Sequence, residues 1–127
     1  MSKHIVIIED DVIIADIVKD LLKEQGYHST TLPSLSTIEN LIDLKADCFI
    51  IDEQLPFVNG HIICIMLKSR AQTRHIPIIL VSASDSLEGY ASQCKEDAYF
   101  KKPYVNIHDL IALVTSALGP AGPDNGL

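Results

Sequence analysis

A few acidic positions, one hydroxyl and one amine carry whatever chemistry this chain does. Asp52 closes the apolar run Phe49-Ile50-Ile51, and Glu9-Asp10-Asp11 closes a similar run that starts at His4. Ser82 follows Ile76-Pro77-Ile78-Ile79-Leu80-Val81, and Lys102 follows Ala98-Tyr99-Phe100-Lys101. If these runs are parallel strands, all of those groups meet at one edge of a sheet, where open α/β folds hold their ligands. Crowded carboxylates at Glu9, Asp10 and Asp52 repel one another unless a cation sits among them. Hard oxygen donors with open positions suit Mg²⁺, which favours sites that also receive phosphate. A hydroxyl at Ser82 and an ammonium at Lys102 are what the oxygens of a phosphoryl group would want. The set describes a carboxylate nucleophile, a metal and a phosphate cradle. For Asp52 taken alone, opening a turn is an equal reading, because Pro56 and Asn59-Gly60 break the chain just beyond it.

The elements that must position these residues are legible as alternating strands and helices. His4 to Ile8 is β-branched and short, as a buried strand is. From about Asp11 to Gln25 the spacing turns helical, with Ile14, Ile17, Val18, Leu21 and Leu22 on one stripe. Asp11 suits the cap of that helix and Gly26 its end. Tyr27 to Leu32 is more polar and reads as an edge strand. Ser36-Thr37-Ile38-Glu39 has capping-box spacing and opens a short helix to about Leu44. Cys48 to Asp52 is apolar throughout and reads as the central strand. A helix after Gly60 carries Ile62, Ile63, Ile65, Met66 and Leu67, with His61 expected on its exposed side. Ile76 to Val81 reads as a fourth strand, Ser86 to Gln93 as a short polar helix, and Ala98 onward as a fifth strand. Asn106 suits the cap of a last helix that buries Leu110, Ile111, Leu113, Val114 and Leu118. Five βα repeats predict a parallel sheet with helices on both faces. The expected domain is 1–118, and the Gly- and Pro-rich stretch 119–127 reads as a tail or the start of a linker.

Composition narrows the function. At 127 residues with 47% apolar content, the chain fits one domain with a proper core. No apolar run reaches the roughly 20 residues of a membrane span, and Met1 to His4 leads into no signal peptide, so a cytoplasmic location is expected. A formal charge of -7 argues against direct nucleic-acid binding, since phosphate contacts need a basic face. Cys48, Cys64 and Cys94 are odd in number with no C-x-x-C pair, which indicates neither a disulfide framework nor a zinc site but buried thiols.

Glu9-Asp10, Asp52 with Pro56 and Gly60, Ser82-Ala83, and Tyr99 with Lys102-Pro103 are landmarks in a fixed order at successive strand ends. In that order they resemble the receiver domain of two-component response regulators, over about residues 3 to 118. The resemblance implies a flavodoxin-like (βα)5 fold, a five-stranded parallel sheet of order 2-1-3-4-5. It implies that Asp52 accepts a phosphoryl group from a histidine kinase or a histidine phosphotransfer protein. Mg²⁺ would be held by Asp10 and Asp52, by the backbone carbonyl of Gln54, and by Glu9 through water. Ser82 and Lys102 would contact the phosphoryl group, and Tyr99 would swing inward with Ser82 as the switch. The surface that changes would be the one made by the expected fourth helix, the fifth strand and the last helix. By the same resemblance the domain is no enzyme beyond its own phosphorylation and dephosphorylation. Its output would pass to an effector protein or a domain beyond Leu127, with a phosphorylation-dependent homodimer as a further form of partner.

Two departures and two rival readings accompany the resemblance. Lys95-Glu96 stands before Tyr99 where the family usually has Gly-Ala, and Ser82 replaces the commoner Thr. Gln54 and Ser84 flank the expected phosphoryl site and would help set the lifetime of the phosphate. A degenerate or phosphate-sink receiver serving as an interaction module is one rival; retention of Asp52, Ser82 and Lys102 together argues against the degenerate form. An Asp-nucleophile phosphatase is the other. It would want a second Asp two residues after Asp52, where Gln54 stands.

Overall fold

A computed structural model describes residues 3–35, 37–82, 98–101 and 107–118. Its strands are β1 (His4–Ile8), β2 (His28–Leu32), β3 (Cys48–Asp52), β4 (Ile78–Ser82) and β5 (Ala98–Lys101). They form one sheet of order β2-β1-β3-β4-β5, and every neighbouring pair is parallel. The described helices are α1 (Val12–Glu24), α2 (Ile38–Asp43), α3 (Gly60–Lys68) and α4 (Ile107–Leu118). The expected strand order 2-1-3-4-5 is therefore the observed one. The expected helix over Ser86 to Gln93, the cap residue Asn106 and the 119–127 stretch lie outside the described residues.

Because side chains alternate across a strand, each central strand feeds two cores. Val6, Ile8, Phe49, Ile51, Ile78 and Leu80 pack on one face with Leu41 of α2 and with Ile63, Cys64 and Leu67 of α3. Ile5, Ile7, Cys48, Ile50, Ile79 and Val81 pack on the other with Val18 and Leu22 of α1 and with Leu110 and Val114 of α4. At about 1.5–3 kcal/mol for each fully buried aliphatic side chain, these layers outweigh any single polar contact. Edge strand β2 is only partly buried, as its Ser and Thr content implies.

Local signals set the helix boundaries. Asp11 caps α1 through Oδ1, which accepts from the amides of Ile13 (3.0 Å) and Ile14 (3.2 Å). The cap of α2 is Thr37, whose Oγ1 accepts from the Asn40 amide at 3.1 Å; Ser36 of the expected capping box is outside the described residues. On α1 the buried stripe is Ala15, Val18 and Leu22, and Ile17 is 45% exposed. The stripe is thus turned from the expected one. Strand β4 begins at Ile78, two residues later than the apolar run, because Pro77 has no N–H to give a ladder. Its carbonyl still accepts from the Phe49 amide at 2.9 Å. Cys48 and Cys64 are buried free thiols, as expected.

Candidate functional site

Strand register brings the acidic ends together. Ile8 pairs with Ile51, so Glu9 and Asp10 leave β1 beside Asp52 at the end of β3. One carboxylate oxygen from each of Glu9, Asp10 and Asp52 lies within 4.8 Å of the other two. Glu9 and Asp52 are buried and Asp10 is exposed. Three carboxylates this close fit a small hard cation, and the donor set is all oxygen. Asp11, the next acid, is spent on the α1 cap, and its own amide donates to Glu9 Oε2 at 3.2 Å.

Asp52 is also held from within its own loop. Its Oδ1 accepts from the Gln54 amide at 3.2 Å, the local bond by which Asp opens a turn. Turn-opener and member of the acidic cluster are therefore one arrangement. The turn continues through Phe57 at φ +71°, a bulky residue in the left-handed region whose side chain is 98% exposed. Gly60 then returns the chain to β3. A Cβ there would stand 2.2 Å from the Asp52 carbonyl oxygen, so only glycine lets α3 start this close.

Ser82 ends β4 fully buried, opposite Lys101 of β5. Its hydroxyl accepts from Gln54 Nε2 at 2.7 Å and donates to Gln54 Oε1 at 3.1 Å. The Gln54 side chain thus spans from the acidic cluster's loop to the end of β4. Tyr99 lies in β5 opposite Leu80, one strand from Ser82's own. Lys102, Ser84, Lys95 and Glu96 fall outside the described residues.

His61 corrects an expectation. It is not on the exposed side of α3 but buried, 8% exposed, against Glu53 at 2%. Glu53 Oε1 accepts from the His61 amide at 2.8 Å, and Oε2 pairs with His61 Nδ1 at 2.6 Å. Strand parity explains the placement. Phe49 and Ile51 face the α3 layer, so Glu53, two residues on, continues toward α3 while Asp52 points to the other side. That parity was a usable signal for Glu53; nothing in the helical spacing marked His61.

The sequence model of the response regulator receiver domain matches residues 5–115. The polar-differentiation response regulator DivK of Brucella ovis is 30% identical over 125 residues, covering 95% of this chain and all of that one. The chemotaxis protein CheY4 of Vibrio cholerae superposes with a TM-score of 0.83 at 17% identity, covering 93% of this chain and 100% of that chain. The receiver domain of sensor histidine kinase PA1611 from Pseudomonas aeruginosa, solved with a magnesium ion in its active site cleft, gives 0.75 at 20% identity, covering 94% and 99%. A parallel 2-1-3-4-5 sheet with acidic strand ends defines a CheY-like fold, the class of two-component signalling receivers. The chain belongs to the response regulator receiver domain family.

Proposed function

We propose that this receiver is switched by phosphorylation of Asp52, with a phosphohistidine of a histidine kinase or phosphotransfer protein as donor. The observation that carries the reading is the convergence of the Glu9, Asp10 and Asp52 carboxylates in a chain of this family. In the transfer, an Asp52 oxygen forms a bond to phosphorus as the donor's P–N bond breaks, and its electron pair leaves on the imidazole. The products are an acyl phosphate at position 52 and a free histidine. The side chains of Asp10 and Asp52, with Glu9 and the Gln54 carbonyl, would hold Mg²⁺, which would neutralise the carboxylates and the incoming phosphoryl oxygens. The Gln54 amide, which donates to Asp52 Oδ1, fixes one carboxylate oxygen and orients the other.

Ser82 and Lys102 are assigned to the phosphoryl oxygens. To reach them, the Ser82 hydroxyl must exchange its bonds to Gln54 for new ones. Because Ser82 lies opposite Lys101 and Leu80 opposite Tyr99, such an exchange acts directly on β5. This supports an output surface that includes β5 and α4, read by an effector or by a second copy of the chain. No enzymatic activity beyond the domain's own phosphorylation and dephosphorylation is assigned, and no direct role with nucleic acid. Among the described residues no helix is long and apolar enough to cross a membrane.

The test is intact-mass spectrometry with acetyl phosphate, with and without Mg²⁺, on wild type and Asp52→Asn. Mg²⁺-dependent labelling of wild type alone is expected. Equal labelling of both proteins would place the site elsewhere. No labelling of either would favour a receiver that works as an interaction module.

A further inference from the structure

Glu53 and His61 are the one buried ionisable pair that the proposed chemistry leaves unused among the described residues. With both carboxylate oxygens and the imidazole out of water, the pair carries a desolvation cost. Two well-packed apolar side chains in the same place would cost nothing of that kind. The surroundings are suited to them, since Glu53 continues the apolar row Phe49 and Ile51 toward α3. Capping accounts for only one of the Glu53 oxygens. Asn59 stands at the cap position and makes no side-chain cap bond, so Glu53 Oε1 takes the first-turn amide of His61, while Oε2 is left for the imidazole.

What the pair does control is the backbone between the site and α3. The Glu53 amide donates to the Val81 carbonyl at 2.7 Å, and its carbonyl accepts from Leu55 and Gly60, each at 3.1 Å. Its two peptide planes carry the Asp52 carbonyl, against which Gly60 is packed, and the amide of Gln54 that bonds Asp52 Oδ1. Anchoring the Glu53 side chain to the first turn of α3 therefore fixes the direction of both planes. A ligand set is useful only if held within about 0.5 Å of its productive geometry.

We propose that Glu53 and His61 are positioning residues for the Asp52 site. The carboxylate–imidazole clamp sets the peptide orientation at 52–54, and so the geometry in which Asp52 and the Gln54 carbonyl take a divalent cation. The inference rests on the Mg²⁺ reading of that site. It predicts that stability and metal affinity separate. A double variant Glu53→Leu with His61→Leu loses the acceptor for the His61 amide but sheds the desolvation cost of the pair, so its melting temperature stays near that of wild type. Yet it binds Mg²⁺ at least tenfold more weakly, as loss of an orienting partner of a metal ligand does. The single variant His61→Asn, which keeps an amide N–H toward Glu53 Oε2, stays within about threefold of wild type.

Isothermal titration of Mg²⁺ with melting curves of the metal-free proteins reads both quantities. Unchanged affinity in the double variant, or losses of affinity that simply follow losses of melting temperature, would overturn the assignment. Should the double variant not fold, Glu53→Gln and His61→Phe carry the same comparison against His61→Asn. A wild type that takes up no Mg²⁺ would overturn the parent reading, and is distinguishable because it appears before any substitution.

Discussion

Gly60→Ala is the sharpest perturbation the site offers, because two effects oppose each other and their sizes differ. Gly60 is the first residue of α3, and helix propensity alone would favour Ala by up to about 1 kcal/mol. Against that, the new methyl would meet the Asp52 carbonyl oxygen at 2.2 Å, its carbon at 2.8 Å and the Glu53 Cα at 3.0 Å. These are backbone atoms of the central strand, which no rotamer change can clear. Relief needs the start of α3 to move off β3 by roughly 1 Å, which loosens the close packing of its own Ile63, Cys64 and Leu67 against Phe49 and Ile51. Overpacking costs about 1–3 kcal/mol and occasionally more; with fixed backbone atoms struck the upper end applies, so after the propensity gain the net expectation is a loss of about 2 kcal/mol. For a domain of this size that lowers the melting temperature by roughly 6–10 °C. Urea unfolding with a shared m-value is the assay, and labelling of Asp52 by acetyl phosphate should fall as well, since the carbonyl that is struck belongs to Asp52. A Gly60→Ala protein as stable as wild type would show that α3 does not start against β3, and the reasoning for this loop would be wrong.

Further outcomes follow from the same loop. Gln54→Ala removes the bonds that hold the Ser82 hydroxyl at 2.7 and 3.1 Å; at about 0.5–1.5 kcal/mol net each, labelling at a fixed acetyl phosphate concentration should quicken by roughly fivefold to a hundredfold. Slower labelling would mean that Gln54 assists the reaction. Phe57→Asn relieves a bulky side chain held at φ +71° with almost no packing and should raise the urea midpoint, by about 1 kcal/mol in stability; a lower midpoint would reveal a packing role. Excess MgCl₂, compared with KCl of equal ionic strength, should stabilise wild type by about 1.4 kcal/mol at ten times its dissociation constant. Asp52→Asn should lose most of that gain, and a full gain in this variant would remove Asp52 from the metal site.

Much of the site was legible because strand ends are legible. An apolar run closed by a carboxylate or hydroxyl fixes both the strand and its functional edge, and parallel register then brought Glu9, Asp10, Asp52 and Ser82 to one side without further information. The Asp11 cap was readable for a similar reason, since capping is local. The contacts that escaped were those between side chains of different elements. Gln54 reaches Ser82 across a strand boundary, and no spacing rule encodes that reach. His61 was placed by polarity on the outside of α3, but the buried acid Glu53, across the loop that joins β3 to α3, reverses the preference. Glu53 itself was overlooked because Asp52 explained the acidic end of β3. On α1, Ala15 rather than Ile17 lies on the buried stripe. Apolarity alone does not report that preference.

The proposed switch depends on which atom receives the phosphoryl group. Borohydride reduces an acyl phosphate to the alcohol, so a phosphorylated aspartate becomes homoserine at its own position. Wild-type protein would be incubated with acetyl phosphate and Mg²⁺, reduced, digested and sequenced by mass spectrometry through the Cys48–Gly60 peptide. Homoserine at position 52, absent when Mg²⁺ is withheld, is the predicted result. Homoserine at Asp10 or Asp11 in the peptide that contains them, or none in a sample that carries the phosphoryl mass, would contradict it.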